Sequence, residues 1–187
     1  MDRCSIVYRE SDGEGEFQVL VTEADGSRRS AARSPAFPAR AGEIRRRGAA
    51  RAAHELLVQR LLVCGWWPSG SGREWPELEF IRPEPADPAR SRSLVTVVRE
   101  GGRAHFAAEE LDNFGNPTPL DASDAFRAPP LIPVRPSRQA KAALKRLLAR
   151  MEDDGWKIAG QAGDAWYAVW LSRRRSVRRR VPDEAFK

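Results

Sequence analysis

Apolar residues recur at every second position through Phe17, Val19 and Val21, and Ile6-Val7-Tyr8 just before them is β-branched and aromatic. That spacing predicts two strands, and the Asp12-Gly13 step between them predicts a hairpin turn. Further along the period changes. Leu57, Leu61 and Cys64, with Val58 and Leu62 beside them, fall at helical spacing, as do Leu144, Leu147, Leu148 and Met151. Both predicted helices run into a glycine, Gly65 or Gly155, where a left-handed cap costs least. Ser137, after Pro136, is placed to cap the start of the second helix.

These elements come in the same order twice, at a period of about 90 residues. Ile6-Val7-Tyr8-Arg9-Glu10 recurs as Thr96-Val97-Val98-Arg99-Glu100, Phe17 as Phe106, and Gly26 as Gly115. Ser34-Pro35-Ala36-Phe37 recurs as Ser123-Asp124-Ala125-Phe126, Gly65-Trp66 as Gly155-Trp156, and Trp75 as Trp166. Each copy reads strand, turn, strand, long loop, helix, strand. The expected fold is therefore α+β: an internal tandem repeat of two ββαβ units with pseudo-two-fold symmetry. It would hold about six strands, with two main helices packed on one side of sheet, because a lone unit of about 80 residues buries too little to be stable. The boundaries expected are repeat 1 over residues 1–82, a proline-rich linker over 83–93, repeat 2 over 94–172, and a flexible arginine-rich tail over 173–187.

Ser34-Pro35-Ala36-Phe37, the two Gly-Trp helix ends and Trp166-Tyr167 resemble a group of uncharacterised bacterial proteins built from one or two ββαβ modules. The resemblance covers roughly residues 4–82 and 94–173. It implies the fold and carries over no catalytic residue. The first copy departs from the pattern at Pro76, where the group tends to have Tyr.

Charge is concentrated at one end. The chain has 32 basic and 26 acidic residues, net +6, but residues 173–187 hold seven basic and two acidic groups. The remaining 172 residues carry 25 basic and 24 acidic groups and are almost neutral. A phosphate-tracking surface spread over the whole domain is therefore not expected. Arg173, Arg174, Arg175, Arg178, Arg179 and Arg180 instead form a cationic arm, and Arg45, Arg46 and Arg47 could extend its field. These nine are the candidate phosphate or nucleic-acid contacts. Against them stands the general excess of Arg over Lys, 28 to 4.

Catalytic and metal chemistry finds little support. Cys4 and Cys64 lie far apart in sequence, and Cys64 in the run Leu61-Leu62-Val63-Cys64 reads as a buried thiol. His54 aligns with Leu144 and reads as a packed histidine, while His105 has no counterpart, so no metal-ligand spacing appears. Gly70-Ser71-Gly72 reads as a turn and not a phosphate loop. Glu152-Asp153-Asp154 places acid in a final helical turn, which calls for an arginine, a cation or solvent nearby. No catalytic residue, metal ligand or cofactor is expected. An enzyme built on Glu109, Glu110 or Asp112 is the least favoured class.

Two tryptophans do not repeat. Trp67 aligns with Lys157, and Trp170 aligns with Glu79. Each is a candidate ligand or partner contact, and Trp170, on the nominally wet face of its strand, alternatively fills an interface between the copies. The leading expectation is a non-enzymatic binding module, taking a protein partner or small ligand. The alternative is a nucleic-acid-binding protein using the arginine arm and exposed tryptophan. With no signal-like start and no apolar run of membrane-spanning length, the expected place is the cytoplasm, away from membranes.

Overall fold

The computed structural model describes residues 2–39, 48–71, 77–84, 87–129 and 134–174. In chain order the first half forms β1 (Asp2–Ser11), β2 (Glu14–Thr22), β3 (Arg28–Arg33), β4 (Phe37–Pro38), α1 (Gly48–Val63), β5 (Trp67–Ser71) and β6 (Leu78–Arg82). The second half forms β7 (Arg90–Glu100), β8 (Arg103–Leu111), β9 (Pro117–Ala122), β10 (Phe126–Arg127), α2 (Arg138–Asp153), β11 (Lys157–Gln161) and β12 (Val169–Arg174).

The fold is α+β, with two antiparallel six-stranded sheets and two helices among the described residues. The first sheet runs β3-β2-β1-β6-β5, with β4 also pairing β2. The second runs β10-β8-β7-β12-β11, with β9 also pairing β8. The expectation of about six strands is corrected to twelve. The long loop before each helix contains two of the extra strands, and another follows each helix. Arg28–Arg33 buries only Ala32, and Pro117–Ala122 buries no residue, so neither carries an apolar alternation that could reveal it. β5 and β11 each contain a register shift, between Pro68 and Gly70 and between Ile158 and Gly160, which breaks the period of two. Gly70 accordingly lies in a strand and not in a turn.

The sheet faces separate two cores. Ile6, Phe17, Val19 and Phe80 pack with Leu57 and Leu61 of α1, and Val95, Phe106 and Leu171 pack with Leu147 and Met151 of α2. Along β7 the alternation sends Val95 to the second core and its neighbour Leu94 to the first. Leu111 also joins the first core. Thus α1 touches the first sheet on one side and the back of the second sheet on the other, and the helices do not share one side of a single sheet. Burial follows: α1 encloses Ala50, Ala53, His54, Leu57, Arg60, Leu61 and Val63, whereas α2 keeps a solvent face.

Short-range features explain the recurring sequence signature. Ser34 Oγ accepts from Phe17 N at 3.0 Å while Ser34 N donates to Phe17 O at 2.8 Å; Ser123 does the same with Phe106 at 2.9 and 2.8 Å. Each serine thus ties the loop to the middle of a strand. Trp66 N donates to Leu61 O and Gly65 N to Leu62 O, closing a Schellman cap, and Trp156 and Gly155 repeat both bonds to Met151 and Glu152. Gly65 and Gly155 both sit at φ 84°, which explains glycine there.

One detail of the self-alignment is corrected. Tyr8 pairs with Phe17, and Val97 pairs with Phe106, so the counterpart of Tyr8 is Val97 and not Val98. The repeated Arg-Glu pair drew the alignment one residue out of register, which would exchange the faces of the whole strand. At the other boundaries, β7 begins at Arg90, inside the stretch read as linker, and Arg173 and Arg174 end β12 and are not the start of a free tail.

Candidate functional site

The halves meet around Trp66. As the residue after the cap glycine of α1, Trp66 is driven back onto the core and is fully buried. Arg82, at the end of β6, places its guanidinium carbon 4.7 Å from the Trp66 ring centre, and its Nε donates to Asp2 Oδ2. The turn between β8 and β9 fills the remaining space. Asn113 O accepts from Trp66 Nε1 at 2.9 Å and from Arg82 Nη1 at 3.4 Å, and Asp112 O accepts from Cys64 Sγ at 3.0 Å. Phe114 lies 6.0 Å from the Trp66 ring, centre to centre. Gly115 is required here, since it combines φ 85° with a Cβ position only 2.8 Å from Arg60 Cβ.

The turn is itself built to keep this shape. Asp112 Oδ1 accepts from Phe114 N and Asn116 N at 2.8 and 2.9 Å, and Asn116 Nδ2 donates to Ala31 O at 2.7 Å. Next to it, Arg60 Nη2 meets Glu109 Oε2 at 2.8 Å with both side chains mostly buried. Two of the three carboxylates weighed as catalytic are thereby engaged: Glu109 in this ion pair and Asp112 in the turn.

The corresponding aromatic in the second half is Trp156, with Arg173 lying 4.5 Å over its ring. Arg173 Nη1 donates to Asp154 O at 3.2 Å, which places an arginine at the acidic end of α2. Among the described residues no turn fills the space beside it. A groove of about 890 Å³ opens there, lined by Asp87, Arg90, Asp154, Gly155, Lys157, Ser172, Arg173 and Arg174. Four cationic and two anionic side chains give it a positive balance. Arg90 and Arg174 stand directly opposite each other in the β7–β12 ladder, and Arg90 Nη2 reaches Ser172 Oγ at 3.4 Å. Like charges in cross-strand register are unfavourable unless an anion joins them.

The structure brings Arg173 and Arg174 into this groove, and it adds Arg90, Lys157 and Ser172, which the sequence did not single out as site residues. Arg90 was hidden inside the apparent linker, and Lys157 was noticed only as the residue standing where the first half has Trp67. Arg45, Arg46, Arg47, Arg175, Arg178, Arg179 and Arg180 lie outside the described residues. The two tryptophans part company. Trp170 packs against the first core at the junction of the halves, with its Nε1 2.6 Å from the position a Cβ on Gly160 would take. Trp67 is 62% exposed on edge strand β5.

Other candidate chemistry is absorbed by packing. His54 is buried with its ring edge-on to Phe17 at 5.1 Å, and His105 sits within β8 opposite Val98. Burial pushes both thiols up to about 12. No group of three or more metal-ligating side chains occurs among the described residues, and no helix among them is long and apolar enough to cross a membrane. In comparisons with protein-family models, curated proteins and solved structures, the chain matches none.

Proposed function

We propose that the chain is a non-enzymatic binding module made of two copies of one unit, and that the groove beside Arg173 takes an acidic, carbonyl-bearing turn of a protein partner. Duplication is supported by the shared strand order, the two serine clamps, the two Schellman caps and the two Arg-over-Trp pairs. The resemblance to one- and two-copy bacterial modules belongs with this reading. One observation carries the functional part. In the first half the space beside Trp66 and Arg82 is filled by the turn Asp112–Asn116, and in the second half its counterpart is an open groove. The filled groove is a template for what the open one takes: main-chain carbonyls for the arginine, and, given Arg90, Lys157 and Arg174, negative charge.

The test uses the chain's own turn as probe. A peptide of residues 109–118 carries Glu109, Glu110 and Asp112 around the carbonyls that the first groove binds. Calorimetric titration into the full chain should show saturable binding that weakens with salt, and R90E combined with R174E should abolish it. Binding that survives the double reversal would refute the reading.

A second reading, single-stranded nucleic acid, is favoured by the opposed Arg90 and Arg174 together with the arginines that follow in the sequence. It predicts retention on single-stranded DNA that falls steeply with salt and is lost on removing residues 175–187. Removal should start at 175, since Arg173 covers Trp156. Retention indifferent to salt removes this reading.

A further inference from the structure

A second cationic groove lies at the other end of the second sheet. It has a volume of about 770 Å³ and sits between the β7–β8 turn, β10 and the first turns of α2. Arg103, Arg127, Arg138 and Arg146 line it, with Asp124 as the one acidic lining side chain and Ala125 and Ala142 contributing apolar surface. Strand β7, 11 residues long, separates this groove from the one beside Arg173 by roughly 33 Å at the usual strand rise.

Two electrostatic conflicts meet here. Arg103 and Arg127 are directly opposite in the β8–β10 pair, where like charges repel. Arg138 is the first residue of α2, whose first turn holds no acidic side chain, so a cation sits at the positive end of the helix dipole. Arg146 is satisfied, held by Asp124 through Nε at 3.0 Å and Nη2 at 2.7 Å, and Arg103 has Glu100 opposite it in the β7–β8 pair, so Arg127 and Arg138 carry the unbalanced charge. Among the described residues no ion pair or hydrogen bond occupies the side chains of Arg127 and Arg138.

Arginine richness in general does not produce this cluster. At the matching positions of the first half stand Glu14, Pro38, Gly48 and Leu56, none of them basic. The four arginines come from three separate elements and converge only in the second half. A dianion placed among them would relieve both conflicts at once, and guanidinium forks suit phosphate oxygens. Beside them the accessible methyls of Ala125 and Ala142, over the buried Phe126 and Ala143, offer contact to an organic body, which free inorganic phosphate lacks.

The geometry points to a binding site for a small phosphomonoester, with its phosphate held by Arg127 and Arg138 at the start of α2 and its organic part against Ala125 and Ala142. The site is independent of the groove beside Arg173.

Calorimetric titration of the full chain with phenyl phosphate tests it, with inorganic phosphate and phenol as companion probes. The expected result is saturable one-to-one binding of phenyl phosphate, weaker binding of inorganic phosphate and none of phenol. Arg127→Ala with Arg138→Ala should weaken phenyl phosphate at least about tenfold. Both positions are exposed, so the fold should survive, as an unchanged unfolding midpoint would verify. Arg90→Ala with Arg174→Ala should leave the affinity unchanged. Absence of saturation, equal affinity for phenol, or loss in the Arg90 and Arg174 variant in place of the Arg127 and Arg138 one would overturn the assignment. None of these outcomes bears on peptide binding in the groove beside Arg173, so the two proposals fail separately.

Discussion

Arg82 and Trp66 form a stacked pair at 4.7 Å whose exposed side is closed by the other half of the chain, while Arg173 and Trp156 form the same pair at 4.5 Å with no such cover. The two arginines should therefore differ in their contribution to stability. Arg82→Ala removes a cation–π contact, bonds to Asp2 and Asn113 and a buried stem, and should cost about 2–4 kcal/mol. Arg173→Ala, half-buried with one carbonyl bond, should cost about 1 kcal/mol. Urea unfolding with an unchanged slope would measure both. Equal costs would mean that the inter-half turn adds nothing.

Removing either serine clamp leaves a buried strand N–H, Phe17 N or Phe106 N, without its side-chain acceptor. Ser34→Ala and Ser123→Ala should each cost about 1–3 kcal/mol, and by similar amounts if the clamps are equivalent. Thermal unfolding of the two variants side by side checks both statements.

The ion pair between Arg60 and Glu109 joins α1 to the second sheet in a mostly buried setting. Arg60→Ala would strand a carboxylate there and should cost about 3–5 kcal/mol, whereas Arg60→Met with Glu109→Leu should cost far less. The double variant matching the sum of the single losses would argue against coupling across the junction.

Cys4 and Cys64 have pKa values raised by burial from 9.0 to about 12. A raised acid holds its proton in the folded state when the unfolded chain has released it. The resulting stability is complete below about pH 9 and is lost as pH rises from there through about 12. Unfolding free energy should fall more steeply across that window in the native chain than in Cys4→Ala with Cys64→Ala. Parallel pH profiles would contradict the burial effect. Neither thiol should react with a maleimide at neutral pH until the chain unfolds.

What the sequence disclosed and what it hid follow from side-chain pattern. Strands with one apolar face, such as Glu14–Thr22, show a clear period of two, and helices ending in Gly-Trp show a period near 3.6 and a stop. β3 and β9 are held mainly by backbone pairing to a stronger neighbour, so their side chains carry almost no signal. Trp170 aligns with Glu79 on the nominally wet face of its strand, which leaves two readings, an interface between the copies or a ligand contact, and the structure packs it at the junction. Its face of the second sheet is covered by α1, and that it is the first half's helix that does so is a relation between halves that no comparison within one half could reveal. The cationic groove was legible only at Arg173 and Arg174. Arg90 reaches it from a strand that begins within a proline-containing stretch, and Lys157 from an edge strand with a broken register.

The contrast between a filled groove and an open one can be located residue by residue. In a chemical-shift titration of the isotopically labelled full chain with the 109–118 peptide, saturable shifts should appear at Arg90, Lys157, Ser172 and Arg174. Trp66 and Arg82 should stay silent behind the turn that already occupies them. Shifts centred on Trp66 and Arg82, or saturable shifts confined to surfaces away from Arg173, would contradict the account.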